Sequence, residues 1–344
     1  MDNTADVTRE GEGERLTRYG EFLKRAKSKL PRMHLSLKGD GGKHRQPYFK
    51  IIRTEYSREE TLWGWIFVLP CVILGAIFVL GPIVISLYYA FTDANLLRLD
   101  EAQWVGFENF KRVFEDSTVG LALTNTLTFV VEVVPLQLFT ALGLALLVNK
   151  ITHGNTFLRW AFFVPVMLSL AITSMLWMNL LNDSDGLINA LILACGGIPV
   201  NWMTDEVITL QAIIFISAWQ GAGYQMMIFI SALKNVDHSL YEASEIDGAG
   251  SWNRFVHVTL PAIRPTFSFV LITMLISAFR IVTQPMIMTQ GGPNNHTMTM
   301  SYYIYLQGTQ YRDIGYSSAI ALIFTFVMAA VSLTLRRLFE GKKD

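Results

Sequence analysis

Long apolar runs alternate with short polar segments along most of this chain. Six runs qualify as candidate membrane helices: 63–90, 123–148, 161–181, 207–232, 264–288 and 317–339. A helix that crosses a bilayer needs about 20 mostly apolar residues, and each run reaches that length. The pattern therefore predicts an all-α membrane protein with six transmembrane helices.

Composition supports a membrane protein. Hydrophobic residues make up 51% of the chain and charged residues only 16%, whereas soluble proteins carry about 25% charged residues. The first run contains Pro70 and Pro82, which remove helix hydrogen bonds that neighbouring helices can replace. Glu132 and Arg280 are the charges that the runs are expected to bury, and such charges usually face a cavity or a partner helix.

Lys and Arg are distributed unevenly, which predicts the orientation. Of the 28 Lys and Arg residues, 23 lie in the N-terminal segment, in the second and fourth connections and in the C-terminal tail. Since cytoplasmic connections carry the excess of Lys and Arg, both termini and the loop 233–263 are predicted to be cytoplasmic. Residues 1–60 are interpreted as a basic cytoplasmic extension and 61–340 as the six-helix transmembrane domain. Within the extension, Glu12–Leu30 fits either an amphipathic helix on anionic lipid or a disordered tail.

The predicted cytoplasmic loop holds a polar stretch, YEASEIDGAGSWNRFVHVTLP, at residues 241–261. Ser239 is expected to cap a short helix with Glu242 at its third position, which is a capping-box arrangement. Gly248 and Gly250 favour the end of that helix. The stretch fits either a docking element for a partner or an ordinary connecting loop.

The same stretch resembles the EAA motif of ABC importer permeases. That motif runs Glu-Ala-Ala, three residues, Gly, nine residues and Ile-x-Leu-Pro. Here Ser244 replaces the second Ala and Val258 replaces the Ile, while the spacing is kept. The stretches 105–127, 149–165, 182–192 and 288–319 are similar to the carbohydrate-uptake branch of these permeases, so the resemblance covers about residues 60–340.

The resemblance implies a type I ABC importer permease fold and a docking role for the loop. In that family the loop forms a coupling helix that fits a groove on the ATP-binding subunit. Carried over residue by residue, the ATPase-coupling positions are Tyr241, Glu242, Ala243, Ser244, Asp247, Gly248, Ala249, Leu260 and Pro261.

The fifth run suggests a substrate pathway. Thr273, Ser277, Arg280 and Gln284 follow at intervals of four, three and four residues, which places them on one face of a continuous helix. Polar groups there would line a cavity. The alternative is structural: the hydroxyls bond their own backbone, and Arg280 pairs with Glu132.

The fourth run adds Trp219, Gln220, Gly221 and Tyr224. Aromatic faces suit the C–H patches of a sugar ring, and amides suit its hydroxyls, so these residues are candidates for a sugar pathway. The alternative for Trp219 is lipid or core packing. The resemblance, through a Trp-x-Gly in this run and the facing turn of the next run, nominates Trp219, Gly221, Thr273, Ile276 and Ser277. Relatives for neutral sugars often show Phe-Asp where this chain has Val282-Thr283, a departure that favours an anionic sugar or glycoside.

The chain shows no GxxxxGK[ST] phosphate loop and no catalytic constellation. A non-catalytic subunit is therefore expected, with ATP and Mg on two separate ATP-binding subunits. The six scattered His residues predict no metal site, and no nucleic-acid partner is expected.

The importer interpretation implies a second homologous permease, an extracytoplasmic substrate-binding protein and a multi-pass location in the lipid bilayer of the bacterial cytoplasmic (inner) membrane. An ion-driven secondary transporter is the alternative; it would predict an internal repeat and a carboxylate-rich path. A membrane-anchored scaffold or receptor is the third possibility.

Overall fold

A computed structural model describes residues 58–150 and 154–340 of the chain. Internal contacts separate Met1–Trp65 from Ile66–Asp344, and residues 58–65 are the described part of the first unit. The predicted helix at Glu12–Leu30 lies outside the described residues. The division at residue 60 also stays a prediction, because nearly all of 1–60 lies outside them.

The described residues are helical, with isolated β-bridges but no strand. The helices are α1 Arg58–Gly75, α2 Gly81–Tyr89, α3 Glu108–Glu115, α4 Ser117–Lys150, α5 Asn155–Met167, α6 Leu170–Leu180, α7 Leu187–Ala194, α8 Ile208–Lys234, α9 His238–Ile246, α10 Ser251–Arg254, α11 Leu260–Phe279, α12 Thr283–Met288, α13 Met300–Tyr305 and α14 Ile314–Glu340. Three π-helical turns, Ala76–Leu80, Phe255–Thr259 and Leu306–Gln310, interrupt this series, as does a 3₁₀ turn at Leu99–Glu101.

Five of these helical segments are long and apolar enough to cross a membrane. They are Leu62–Tyr89, Ser117–Lys150, Ile208–Lys234, Ser251–Met288 and Ile314–Thr334. Each contains or overlaps one of the six predicted runs, so five of the six are confirmed as long apolar helical segments. The third run differs, because it forms two helices bent by 95° at a short break. The count is six only if this bent pair is one span.

The first span carries its apolar surface on the outside. No residue of its most hydrophobic window is buried, and its exposed side chains include Trp65, Phe67 and Phe78. The helix continues through Pro70 and reaches Pro82 after the π-turn, a common accommodation where a helix hydrogen bond is missing. This apolar surface therefore has to be covered by lipid or by another subunit.

The core of the second unit lies between α4 and α8, which pack along their length. Its fully buried side chains are of several sizes and fill the space between the two helices. They include Phe129, Ala141, Ala145, Ile213, Ile216, Met226 and Phe229. Packing of α5 and α11 against the same pair places the apolar faces of four helices around one core.

A partly buried carboxylate, Asp116, joins the start of α4 to α13 and α14. Asp116 accepts hydrogen bonds from the hydroxyl of Tyr303 (2.6 Å) and the hydroxyl of Tyr316 (2.7 Å), and from the backbone N–H of Thr118 (2.8 Å). Burial alone would raise the pKa of Asp116, but these hydrogen bonds outweigh it and hold the pKa below its ordinary value. The Arg112 guanidinium lies 3.8 Å from the centre of the Tyr316 ring. The first connection is thereby fixed to the last span.

Candidate functional site

The loop between α8 and α11 contains the short helix α9. Its N-cap is Asp237, whose carboxylate accepts the backbone N–H of Ser239 (3.0 Å). The prediction that Ser239 caps this helix is therefore wrong by two residues. Both residue types are good caps, and the helix begins at the earlier one because the Asp carboxylate reaches the free N–H groups.

Gly248 ends α9 in the left-handed conformation, with φ +74°. The N–H of Ala249 bonds to the carbonyl of Ser244 (2.9 Å), and the N–H of Gly248 bonds to that of Glu245 (3.0 Å). This pair of bonds is a Schellman motif, which satisfies carbonyl groups that a helix end would leave unbonded. The glycine of the motif is thus required by the backbone rather than by a side-chain contact.

Two side-chain links connect α9 to the base of α11. The hydroxyl of Tyr241 hydrogen-bonds that of Thr259 (2.9 Å), and the guanidinium of Arg254 forms an ion pair with Glu245. Thr259 directly precedes Leu260, the first residue of α11, and Pro261 follows in its first turn. Helix α9 is therefore attached to the segment that leads into a membrane-spanning helix.

The opposite side of α9 is open. Glu242, Ala243 and Asp247 are exposed, and Ile246 is 87% exposed. An apolar side chain flanked by two carboxylates is therefore accessible to another protein on this side. We call the surface formed by Glu242, Ala243, Ile246 and Asp247 the loop face.

A cavity of about 350 Å³ opens among the spans. Its walls come from α4, from the break between α5 and α6, from α8, and from the segment joining α11 to α12. Five of the nine predicted pathway residues line it: Gln220, Gly221, Ser277, Arg280 and Gln284. The volume lies in the range of small-molecule sites.

Gln220 holds the break in the third apolar run. Its amide nitrogen donates to the carbonyl of Leu168 and to the hydroxyl of Thr173, both at 3.2 Å. Leu168 has an extended backbone at the end of α5, so its carbonyl faces away from the helix ladder. The Gln220 side chain is 5% exposed, and its oxygen has no hydrogen-bond partner among the described residues.

Substitution of Gln220 by Leu is expected to destabilise the bend. The carbonyl of Leu168 and the buried hydroxyl of Thr173 would lose their donor, which costs about 1–3 kcal/mol. Thermal unfolding of the purified protein in detergent measures the loss. Thr325→Val is the control, because this hydroxyl donates only to the carbonyl of Ala321 in its own helix. Equal stability of the two variants would contradict the bracing role.

The other four predicted pathway residues do not line this cavity. Trp219 packs edge-on against Trp177, with ring centres 5.5 Å apart. Tyr224 lines a different cavity, of about 720 Å³. Thr273 donates to backbone carbonyls of its own helix, as the structural alternative proposed, and Ile276 is partly exposed. Their role in a pathway stays a prediction.

The fifth run is not one helix, so the expected single polar face is wrong. Helix α11 ends at Phe279, Arg280 is its C-cap, and Gln284 belongs to α12. The break nevertheless brings Ser277, Arg280 and Gln284 to the same cavity. The structural Arg280–Glu132 pair does not occur among the ion pairs of the described residues.

Sequence reasoning missed four polar residues of this cavity: Gln137, Ser217, Gln225 and Thr283. Gln137 in α4 donates to Gln225 in α8 (3.0 Å), and Ser217 donates to the side-chain oxygen of Gln284 (3.0 Å). Their position could have been predicted from the sequence, because polar side chains inside apolar runs usually face a cavity or a partner helix. Gly221 allows this arrangement, since the amide of Gln137 occupies the place where its Cβ would stand.

Apolar helices long enough to span a bilayer, a capped polar loop and a cavity between the spans are the features of a multi-pass membrane protein. The family model described as binding-protein-dependent transport system inner membrane component matches residues 138–343. The chain belongs to this family, and the expected resemblance to ABC importer permeases is confirmed.

Individual relatives cover most of the chain. The lactose transport system permease protein LacF of Rhizobium radiobacter is 33% identical over 287 residues, 81% of this chain and 95% of that protein. The sulfoquinovosyl glycerol transport system permease protein SmoG of Agrobacterium fabrum is 29% identical over 273 residues, 79% of this chain and 89% of that protein. A crystal structure of a bacterial ABC transporter involved in the import of alginate contains a chain of the same fold, with TM-score 0.73, 23% identity and coverage of 83% and 98%.

Proposed function

We propose that this chain is a permease subunit of an ATP-driven, binding-protein-dependent importer of a sugar or glycoside. It forms half of the translocation pathway in the bacterial cytoplasmic membrane, with both termini in the cytoplasm. A second homologous permease supplies the other half. Two separate subunits bind and hydrolyse ATP with Mg, and an extracytoplasmic binding protein delivers the substrate.

The observation that carries this proposal is the construction of α9. The helix is capped at both ends and linked by Tyr241 and Arg254 to the base of α11, yet it leaves the loop face exposed. Such an element is rigid enough to transmit a force and open enough to receive a partner. The loop face is therefore the proposed contact with the ATP-binding subunit.

Carbohydrate as the substrate class rests on the relatives and on the cavity. LacF and SmoG are named for lactose and for sulfoquinovosyl glycerol, which are a neutral and an anionic glycoside. The amides of Gln137, Gln220, Gln225 and Gln284 offer donors and acceptors that suit sugar hydroxyls. The ion-gradient alternative gains no support from these relatives, and the cavity is lined by no carboxylate among the described residues.

ATPase activity of the reconstituted assembly tests the proposal. The chain is co-expressed with its candidate partners, purified in lipid and mixed with binding protein loaded with each sugar of a panel. We expect stimulation by at least one loaded sugar. In Glu242→Arg, charge reversal on the loop face should reduce this stimulation roughly tenfold, because it disturbs the electrostatic complementarity of the proposed interface.

Glu115→Arg is the matched control. Glu115 and Glu242 are both exposed and both face a basic residue one helical turn away, Lys111 and His238 respectively, but Glu115 lies in another connection. Loss of stimulation in Glu242→Arg alone supports coupling through the loop face. Stimulation that is equal in both variants, or an assembly without ATPase activity, would overturn the proposal.

A further inference from the structure

Arg280 is the only charged side chain among the described residues that line the 350 Å³ cavity. The rest of the lining is apolar or neutral and polar. Most of the polar groups are amides and hydroxyls, which bind a neutral or an anionic ligand equally well. The charge of the cavity is therefore set by one guanidinium.

No carboxylate of the described residues compensates this charge. Among those residues, Arg280 forms no ion pair and its side chain forms no hydrogen bond. Its backbone N–H donates to the carbonyl of Ser277. Glu132 lies on α4, where Phe129, Val133 and Gln137 face the cavity. At about 100° per residue, Glu132 is turned roughly 100° away from that stripe.

Arg280 is exposed rather than buried in the protein. A cation without a partner within an apolar run is still unfavourable in a membrane, which points to function. The carbonyl end of α11 offers Arg280 a partial negative charge. It does not neutralise the guanidinium, and a helix end of this kind needs no arginine. A ligand that supplies the missing negative charge accounts for both the residue and its position.

We propose that Arg280 binds an anionic group of the transported glycoside, a carboxylate, sulfonate or phosphate. The planar guanidinium offers paired N–H donors to any of these groups. The amide groups of Gln137 and Gln284 line the same cavity and suit the hydroxyls of such a molecule. This inference rests on the proposed function, because it names the substrate class of that same cavity.

Matched pairs of glycosides test the inference. Each pair shares one sugar skeleton and differs in charge: methyl glucoside with methyl glucuronide, and a galactoside with its sulfated and phosphorylated forms. The binding protein is first screened against all of them. Uptake into proteoliposomes is then measured with the complete transporter and with saturated binding protein in excess, so that its affinities do not set the rates.

The variants are Arg280→Gln, Arg280→Lys and, as control, Arg98→Gln. Arg98 is exposed and lies in the first connection, outside the cavity. We expect Arg280→Gln to reduce uptake of the anionic member by about tenfold to a hundredfold, the usual range for a charge-assisted hydrogen bond. Arg280→Lys should keep part of the activity, because Lys retains the positive charge but not the paired N–H donors of the guanidinium. Arg98→Gln should behave as the unmodified chain.

The outcomes separate this inference from the proposed function. A binding protein that accepts only neutral glycosides, or equal losses for both members of a pair in Arg280→Gln, would overturn the role of Arg280 and leave the importer in place. Absence of ATP-dependent uptake for every glycoside would overturn the importer itself, and the inference with it. Selective loss of one anionic series identifies whether the group is a carboxylate, a sulfate or a phosphate.

Discussion

Substitution of Gly248 by Ala or Val is expected to reduce both transport and the ATPase activity that loaded binding protein stimulates. Gly248 has φ +74°, a conformation that costs a residue with a Cβ atom roughly 1–2 kcal/mol, and Val costs more because it is β-branched. The Schellman bonds at the end of α9 depend on that conformation. A penalty of this size changes the population of the capped helix by roughly fivefold to thirtyfold.

The control is Gly250→Ala. Both glycines have open space where a Cβ would stand, but Gly250 has φ −67°, which any residue adopts. Uptake and binding-protein-stimulated ATPase activity are measured for each variant, together with the amount of transporter assembled. We expect loss of both activities for Gly248→Ala, a larger loss for Gly248→Val and no change for Gly250→Ala. If Gly248→Ala and Gly250→Ala were equally active, the cap would not be needed for coupling.

Substitution of Gly223 by Ala is expected to destabilise the transmembrane domain. A Cβ at this position would lie well inside 3.0 Å of the backbone carbonyl oxygen of Phe162 in α5. A backbone atom cannot rotate away as a side chain can, so α5 must move away from α8. Overpacking of this kind costs about 1–3 kcal/mol or more, and small residues at membrane helix contacts exist to prevent it.

Gly143→Ala is the control in the same kind of helix. Nothing lies near its Cβ position in α4, and Ala favours a helix by up to about 1 kcal/mol over Gly. Thermal unfolding and the yield of assembled complex are compared. We expect Gly223→Ala to lower both and Gly143→Ala to leave both equal or higher. Unchanged stability of Gly223→Ala would contradict this prediction, because it would show that α5 and α8 can move apart without a cost in the free energy of unfolding.

Sequence patterns predicted the features that depend on local chemistry. Five apolar runs are helical spans because about 20 apolar residues have few other stable arrangements. The helix of the polar loop and its end at Gly248 were also predictable, since capping and left-handed glycine follow local rules. Its first residue was misplaced by two positions because Asp237 and Ser239 are both suitable caps.

Features set by tertiary contacts were not predictable in the same way. The 95° bend depends on Gln220, which is 52 residues away from Leu168 in sequence. The end of α11 at Phe279 lies in a stretch whose composition would also suit a longer helix. The cavity residues Gln137 and Gln225 come from helices that meet only in the fold. Each of these features combines distant segments, which a reading of periodicity along one segment does not detect.

The outward-facing first span has a further consequence for the lipid around the protein. Leu62–Tyr89 is 28 residues long, which corresponds to about 42 Å at 1.5 Å per residue. The hydrocarbon layer of a bilayer is only about 30 Å thick. This helix therefore exceeds the thickness of its surroundings, and a hydrophobic mismatch of this kind is relieved by tilting or by a local thickening of the bilayer. Acyl-chain length thus becomes a physical variable that acts on this subunit through a helix that contributes no residue to the lining of the cavity.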